Sequence, residues 1–535
     1  MNGIPVATLP RTIQDAIRVC GEIGLCYLWV DALCIVQDDA EDWRTESSHM
    51  AEIYGNSIVT LAALHPDSCM SGFLGPQTFG QPDWQCPIQA DVPPALVDSP
   101  SRVLFARQGQ VPTVRQCALD CRGWCLQERV LPRRRLAFDG SEMSWHCLER
   151  TLCECGHLDQ DSCREYPELK SGSGAAGGSG ARVALNQHRL YRLWTELVDE
   201  YSQRLLSKSD DKLVAISGLA KRLRGLLKQP GQPHEERHLI VASDETAVEF
   251  ACMPLAPTCG PGDYFAGLWK GFFISGLAWS VYHPSLARAS RQPHRRYSAY
   301  CAPTWSWASV DGPVMLRIPE IQSLMPWRDR DDPKIVCDVT VNDISCIPIA
   351  KENPEGALRS ARVTLTAPLV AVDLATIYAS DDPDWDESPY DREAGLSPSG
   401  DLACFVRTRS LRSYRVLLDV EEGLVPIEKG NPKARCWASS RCYCKDGVGC
   451  TYDTKTEYSC LRLFTLTKNF VGSVTMCIVV FLVLKRVPET LDTFERVGLG
   501  LWNSRKGRSY NSMKRCPQFG VELFSKSATE TVNIV

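Results

Sequence analysis

Apolar and polar residues alternate with two different periods over the first sixty residues of the chain. Residues 9–23 and 40–54 carry apolar side chains at three- and four-residue spacing, which predicts two amphipathic helices. Short apolar and β-branched runs at residues 25–30 and 57–63 predict one strand after each helix. The order helix, strand, helix, strand is typical of an α/β domain built on a parallel sheet.

The first predicted strand delivers a carboxylate, Asp31, at its C-terminal end. In open α/β sheets, ligands bind in the crevice outside the carboxyl ends of the strands, so this position favours a ligand site. Two structural roles also stay open for Asp31. It could cap the turn that follows, or it could pair with an arginine.

A second segment with candidate chemistry is residues 122–131, which predict a short helix. Glu128 follows Trp124 by four residues and therefore shares its helical face. A carboxylate beside an aromatic wall is partly desolvated, which raises its pKa and strengthens its interaction with a developing cation. Such a group suits an oxocarbenium-like transition state at a ribose. The alternative is a surface glutamate that pairs with one of three nearby arginines.

A hairpin is predicted directly after this helix. The dipeptide Asp139-Gly140 separates two strand-like runs, residues 135–138 and 142–147, and it is the strongest short hairpin signal in the chain.

The remaining chain divides by composition. A Gly/Ser-rich stretch at residues 171–180 indicates a flexible linker. Helical patterns follow at 187–206 and 210–227, and strand-like runs at 362–372 and 416–420 indicate a β-rich C-terminal part. We predict four segments: an N-terminal α/β domain (1–165), a linker (166–186), a helical and Trp-rich region (187–330), and a β-rich region with an acidic loop at 381–401 (331–535).

Two apolar features are interpreted as core. The most apolar run, residues 470–484, is short for a membrane span and contains Gly, Ser and Thr, so a buried pair of strands is favoured over a tail anchor. Trp305 and Trp307 stand two residues apart, which predicts that they share one face of a strand and fill a core rather than bind a ligand.

Composition and cysteine spacing argue against a nucleic-acid-binding, a secreted or a zinc-binding protein. The 535 residues are 44% hydrophobic and 23% charged, with a formal net charge of −5, so no nucleic-acid partner is predicted. The N-terminal residues lack a secretory signal pattern, so the 25 cysteines are expected to be mostly reduced in a cytoplasmic protein. The Cys-rich segments at 146–163 and 436–450 lack the paired spacing of zinc knuckles, so no metal site is predicted.

Two ordered blocks carry a family resemblance. YLWVDALCIVQDD (residues 27–39), followed by DWRTESSHMAEIYGNS (42–57), and then RGWCLQERVLPRRRLAF (122–138) resemble the fungal heterokaryon incompatibility (HET) domain. They correspond to the WIDALCINQ-like and RGWTLQE-like blocks of that family. Residues 190–221, 263–270 and 303–314 resemble the usual companion region of such domains, so the resemblance extends to about Gly500.

The resemblance implies an α/β fold with a TIR-like or flavodoxin-like parallel sheet, and a role in fungal non-self recognition and regulated cell death. HET domains are distantly similar to TIR domains, in which a Trp-Cys-x-x-Glu helix supplies the glutamate that cleaves the nicotinamide–ribose bond of NAD. Trp124, Cys125 and Glu128 match this pattern. By analogy, Glu128 is the catalytic carboxylate and NAD is the substrate, and Asp31, Gln37, Trp124 and Cys125 line the ligand crevice.

Two other functions stay open beside NAD cleavage. The chain could be a non-enzymatic module that signals by self-association or through an incompatibility partner protein. It could also be a truncated and inactive relative.

Three departures from the family pattern bear on these alternatives. A SYVWG-like first block is absent, so the sheet is expected to lack its first strand and one wall of a nucleotide pocket. Val36 replaces the asparagine of the INQ triplet, which removes an amide that could bind a ligand or brace the turn. The apolar run at residues 463–479 resembles an insertion into the companion region, and a gene-model error would account for both the first and the third departure.

Overall fold

The computed structural model of this chain describes residues 3–65, 68–74, 85–88, 104–107, 117–140, 142–154, 159–161, 166–170, 187–227, 238–241, 247–250, 263–281, 295–297, 299–316, 334–378, 402–407, 413–419, 451–452, 457–470, 474–503, 523–524 and 527–535. These residues form both helices and sheets, and the chain divides into two compact units, Met1–Ser179 and Gly180–Val535. The finer division at residues 186 and 330 stays a prediction. The acidic loop predicted at 381–401 and the cysteines of 436–450 lie outside the described residues.

The first unit combines helices with a small mixed sheet. After a 3₁₀ turn at Val6–Thr8, its elements in chain order are α1 (Arg11–Glu22), α2 (Asp31–Cys34), α3 (Ala40–Asn56), β1 (Thr60–Ala63), β2 (Gln85–Ile88), β3 (Leu104–Arg107), α4 (Cys125–Val130), β4 (Arg134–Phe138), β5 (Met143–Cys147), β6 (Arg150–Cys153), β7 (Asp159–Asp161) and α5 (Pro167–Lys170).

The sheet of this unit has the order β1-β4-β5-β6-β7. Strands β1 and β4 are parallel, whereas the other neighbours are antiparallel. The predicted helices α1, α3 and α4 and the predicted strand β1 are confirmed, and so is the hairpin of β4 and β5. Gly140 in the hairpin turn has a φ of 85°, a left-handed conformation that glycine adopts without steric cost.

The strand predicted at residues 25–30 is wrong. These residues have no sheet partner among the described strands, although Val30 keeps an extended backbone with φ −138° and ψ 123°. An apolar run becomes a strand only when a neighbouring chain takes up its backbone N–H and C=O groups. The segment is instead held by a side-chain contact, because the ring of Trp29 packs edge-on against Tyr54 at a centroid distance of 5.7 Å.

A buried carboxylate joins α1 to the core of the first unit. Asp15 is 4% exposed, and its Oδ2 accepts hydrogen bonds from the backbone N–H groups of Phe73 (2.7 Å) and Leu74 (3.1 Å). Phe73 then packs with Val19 of α1 and Phe138 of β4. The hydrogen bonds compensate the burial of the carboxylate and fix helix α1 against the sheet.

The second unit consists of a helical, Trp-rich part and a large sheet. Two 3₁₀ turns lie at Lys270–Phe272 and Trp307–Ser309. Its remaining elements are α6 (Gln187–Ser202), α7 (Asp211–Leu227), β8 (His238–Val241), β9 (Ala247–Phe250), β10 (Tyr264–Phe265), β11 (Leu268–Trp269), α8 (Phe273–Gly276), β12 (Ser280–Val281), β13 (Arg295–Arg296), β14 (Val310–Asp311), β15 (Val314–Met315), β16 (Lys334–Cys337), β17 (Thr340–Pro348), β18 (Leu358–Tyr378), β19 (Leu402–Arg407), β20 (Ser413–Leu418), β21 (Thr451–Tyr452), β22 (Tyr458–Phe470), β23 (Val474–Arg486), β24 (Thr493–Asn503) and β25 (Ala528–Ile534).

Tryptophan side chains form the centre of the Trp-rich part. Trp305 and Trp307 are fully buried, which confirms their predicted core role. They do not lie on a strand, however, because Ser306 caps the 3₁₀ turn that begins at Trp307. The Nε1 atoms of Trp194 and Trp307 both donate to the carbonyl oxygen of Gly267, at 2.9 and 3.0 Å. Gly267 has a φ of 93°, and an added Cβ would lie 2.4 Å from Nε1 of Trp307, so only glycine fits this position.

The large sheet includes the apolar run at residues 470–484. Strands β22 and β23 pair antiparallel, and residues 478–484 are all buried, which confirms the prediction of a buried strand pair. Since side chains of a strand alternate between its faces, burial of consecutive residues means that both faces of β23 are covered. None of the described helices combines the length and the apolarity needed to cross a bilayer.

A buried arginine joins this sheet to the Trp-rich part. Arg496 on β24 is 0% exposed and forms two hydrogen bonds with the carboxylate of Asp419, of 3.1 and 3.0 Å. Its Nη atoms also donate to the carbonyl oxygens of Leu277 and Trp279, each at 2.6 Å, and its guanidinium lies 3.7 Å from the ring centroid of Trp279. Burial lowers the pKa of Arg496 to about 10, although the charge and hydrogen bonds of Asp419 oppose that shift.

We expect Arg496→Met to lower the free energy of unfolding by about 3 kcal/mol, because it leaves the buried Asp419 without its main partner. Chemical denaturation followed by tryptophan fluorescence measures the change. Arg359→Met, at an exposed position of β18, is the matched control. The double variant Arg496→Met/Asp419→Leu should recover part of the loss. Equal free energies of unfolding for Arg496→Met and Arg359→Met would contradict the assigned role of Arg496.

Candidate functional site

The short helix α2 places Asp31 at the first predicted crevice position. Asp31 is its first residue and is exposed, and its Oδ1 accepts a hydrogen bond from the backbone N–H of Ala32 at 2.8 Å. The side chain of Gln37 folds back over the same turn and donates to the carbonyl oxygens of Asp31 (3.2 Å) and Ile35 (3.0 Å). Gln37, predicted to line the ligand crevice, therefore braces the turn that carries Asp31.

Helix α3 begins at a side-chain cap. Oδ1 of Asp39 accepts hydrogen bonds from the backbone N–H groups of Glu41 (2.8 Å) and Asp42 (3.2 Å), and these bonds lower the pKa of Asp39. Asp42 in turn accepts from the backbone N–H of Val36 at 2.8 Å. The connection between α2 and α3 is thus fixed by carboxylates, at the place where the family has an asparagine and this chain has Val36.

One face of α3 packs against α4, as the helical periodicity predicts. Trp43 and Trp124 meet nearly perpendicular, with ring centroids 6.1 Å apart. Gln127 is 1% exposed, and its Nε2 lies 4.0 Å from Sδ of the buried Met50. Cys125 on α4 is also buried, at 5% exposed. This contact fixes the orientation of α4 and therefore the direction of its other side chains.

Glu128 on α4 is partly buried, and Tyr54 of α3 lies near its carboxylate. Burial raises the pKa of Glu128, and the nearby negative charge of Asp31 raises it further. The positive charge of Arg122 and the hydrogen bonds from the Cys125 thiol and from Tyr54 act in the opposite direction, but the pKa stays above its usual value. Four side chains therefore affect the ionisation of the Glu128 carboxylate: Asp31, Tyr54, Arg122 and Cys125.

Tyr54 stays protonated in this environment. Burial raises the pKa of the Tyr54 phenol above its usual value, and the charges of Glu128 and Asp31 raise it further. A phenol that does not ionise keeps its proton and stays a hydrogen-bond donor.

Asp31 and Cys125 lie near enough to Glu128 to act on its pKa, while Trp124 lies at the start of the same helix with its ring on Trp43. That these residues line a ligand crevice stays a prediction. The residue that sequence reasoning missed is Tyr54, which was predicted only as a core-facing position of α3. The signal was available, because a phenol on a core-facing position needs a hydrogen-bond partner for its hydroxyl.

The cysteine-rich segment after α4 is described only in part. His146, Cys147 and Cys153 lie on β5 and β6, whereas Cys155, His157 and Cys163 fall outside the described residues. Within the portion of the chain that the structure covers, no group of three or more His, Cys, Asp or Glu side chains has the arrangement of a metal site.

We expect Glu128→Gln to melt at a higher temperature than the wild type at neutral pH. A carboxyl whose pKa is raised by folding contributes stability below its unfolded pKa, about 4.3, and loses that contribution as the pH rises through the folded value. Glutamine keeps the shape without the charge, so the difference should vanish below pH 4. Thermal unfolding at pH 4 and pH 7.5 measures this. Glu22→Gln, at an exposed end of α1, is the control. A Glu128→Gln variant less stable than the wild type only at neutral pH would contradict the prediction.

One comparison with known proteins bears on these residues. Residues 2–128 match the family model described as Heterokaryon incompatibility protein (HET), and the match ends at Glu128. Neither a curated protein nor a solved structure matches the chain. The matched region contains α1 to α4 up to Glu128, and therefore Asp31, Tyr54 and Cys125. The N-terminal part of this chain, residues 2–128, therefore contains a heterokaryon incompatibility (HET) domain.

Proposed function

We propose that this protein acts in fungal non-self recognition and regulated cell death in the cytoplasm, and that its HET domain does so by cleaving NAD. Membership of a HET family supports the incompatibility role. The similarity of HET domains to TIR enzymes supports NAD as the substrate. The observation that carries the proposal is Glu128, a partly buried carboxylate with a raised pKa, near Asp31 and on the same helix as Cys125.

The proposed reaction breaks the bond between the ribose C1′ and the nicotinamide nitrogen. Nicotinamide leaves with the electron pair of that bond, and positive charge develops on the ribose. Water then adds its oxygen to C1′ and releases a proton, which gives ADP-ribose. The Glu128 carboxylate stabilises the developing cation, and partial exclusion of water makes that electrostatic interaction stronger than it would be in bulk solvent.

We also propose that β1 and β4 belong to a TIR-like sheet. Their parallel pairing supports this assignment.

A non-enzymatic function is the second candidate. Several large apolar side chains of the first unit are exposed, among them Tyr27 at 94%, Val36 at 53% and Ile58 at 62%. Exposed apolar surface favours association with another protein, and a module that signals by self-association would need no catalytic carboxylate.

We expect Glu128→Gln to reduce NAD cleavage by the purified protein by about 100-fold or more, because it removes the charge that faces the developing cation. In cells, the variant should abolish both NAD loss and cell death. Release of nicotinamide, total cellular NAD and viability are the three measurements. Glu22→Gln should behave as the wild type in all three.

Cell death with intact NAD in the Glu128→Gln variant would overturn the enzymatic proposal and favour the non-enzymatic function. The same conclusion would follow if the wild-type chain kills cells without NAD loss.

A further inference from the structure

We infer that residues 25–30, the apolar segment between α1 and α2, form a docking edge for an extended strand of another protein. The strand that fits this docking edge has an apolar middle and a basic residue at each end. The inference is independent of NAD cleavage, because it concerns the backbone and flanking charges of this segment and not the Glu128 carboxylate. The family match covers the segment but assigns no partner to it.

The middle of the docking edge leaves its backbone hydrogen-bonding groups open. Residues 25–30 form no helix, turn or sheet pairing, and the N–H groups of residues 26–29 donate to no acceptor within the part of the chain that the structure describes. A row of open N–H and C=O groups is a template for pairing with another strand. Main-chain hydrogen bonds of this kind give affinity when an extended peptide is added as a strand.

Both ends of the docking edge are anchored. The N–H of Leu25 donates to the carbonyl oxygen of Cys20 on α1 at 2.8 Å, and the carbonyl oxygen of Val30 accepts from the N–H of Cys34 on α2 at 2.8 Å. The ring of Trp29 packs edge-on against Tyr54 of α3, with a centroid distance of 5.7 Å. The open groups are therefore held in place before a partner binds, which lowers the entropic cost of binding.

Exposed apolar side chains lie in the docking edge and directly after it. Tyr27 is 94% exposed, Leu33 is 43% exposed and Val36 is 53% exposed, and Cys26 is also exposed. Single exposed apolar residues are normal, but several within one short stretch indicate a surface that another molecule covers. The middle of the partner strand is therefore expected to be apolar.

Negative charges flank the docking edge. Glu22 ends α1 and Asp31 begins α2, and both side chains are exposed and form no ion pair within the described residues. Residues 16–43 contain six acidic residues and one basic residue. A strand with a basic residue at each end is complementary to these charges. A second copy of this chain would instead bring the same carboxylates together, and like charges oppose strand pairing.

The probe for this docking edge is a fluorescently labelled peptide, Lys-Thr-Val-Thr-Val-Thr-Val-Lys, and the matched control peptide has Glu in place of each Lys. Fluorescence anisotropy with the full chain at low salt measures both affinities. We expect the Lys-ended peptide to bind at least about tenfold more tightly, because two exposed ion pairs together correspond to about that factor. Raising the salt concentration should reduce the difference.

Substitutions in the chain test the same charges from the other side. The double variant Glu22→Gln/Asp31→Asn should lower the affinity for the Lys-ended peptide by about tenfold. Glu149→Gln, at an exposed position between β5 and β6, is the control and should bind as the wild type does.

Hydrogen–deuterium exchange of the full chain locates the peptide. The Lys-ended peptide should slow amide exchange within residues 25–30, because strand pairing takes up N–H groups that are open in the free chain. Binding that leaves exchange in residues 25–30 unchanged would overturn the assigned position of the docking edge.

Three further results would overturn the inference. Absence of binding would show that the segment does not accept a strand. Equal affinity for the Lys-ended and Glu-ended peptides would exclude a partner selected by basic ends. A dimer of the chain alone in analytical ultracentrifugation, with slowed exchange in residues 25–30, would replace the other protein with a second copy.

Discussion

The candidate site of the HET domain depends on one electrostatic constraint, which is that the partly buried carboxylate of Glu128 lies near the negative charge of the exposed Asp31. Like charges and loss of hydration both oppose ionisation, so the arrangement costs folding energy unless neighbouring groups compensate it. The surrounding structure supplies those groups. Gln37 holds the turn of Asp31, the positive charge of Arg122 favours the ionised Glu128, and α3 packs on α4 through the contact of Trp43 with Trp124.

In the second unit, by contrast, the buried charge of Arg496 is compensated by neighbouring groups. Arg496 is surrounded by a carboxylate, two carbonyl oxygens and the face of Trp279, so that its guanidinium is compensated on all sides. Arg296 donates to the same carboxylate of Asp419 at 3.2 Å. Fully compensated charges of this kind fix one packing arrangement of β24 against the Trp-rich part. The contacts of Arg496 with Asp419 therefore stabilise the fold. The burial of Glu128 near Asp31 opposes folding, so it calls for a functional explanation.

Local sequence patterns predict those parts of the structure whose conformation is decided locally. The spacing of apolar residues predicts α1 and α3, and Asp139-Gly140 predicts its hairpin, because helix periodicity and turn geometry act within a few residues. The strand predicted at residues 25–30 is wrong for the opposite reason, since a strand needs a partner that its own sequence does not specify. WSWAS has the alternation of a strand and forms a 3₁₀ turn, because Ser306 caps it and Gly267 accepts a hydrogen bond from Trp307.

The sequence by itself determined the family, the amphipathic helices, the buried strand pair at residues 470–484, and Glu128 and Asp31 as the carboxylates of interest. These follow from residue types at fixed spacing, which the chain displays without folding. Tertiary structure alone decided that Glu128 is partly buried near Asp31 and that the side chain of Gln37 donates to backbone carbonyl oxygens. It also decided that burial and the charge of Asp31, which raise the pKa of Glu128, outweigh the charge of Arg122, which lowers it. Burial and charge proximity arise between residues far apart in the chain, here on α2, α3 and α4, so no local pattern contains them.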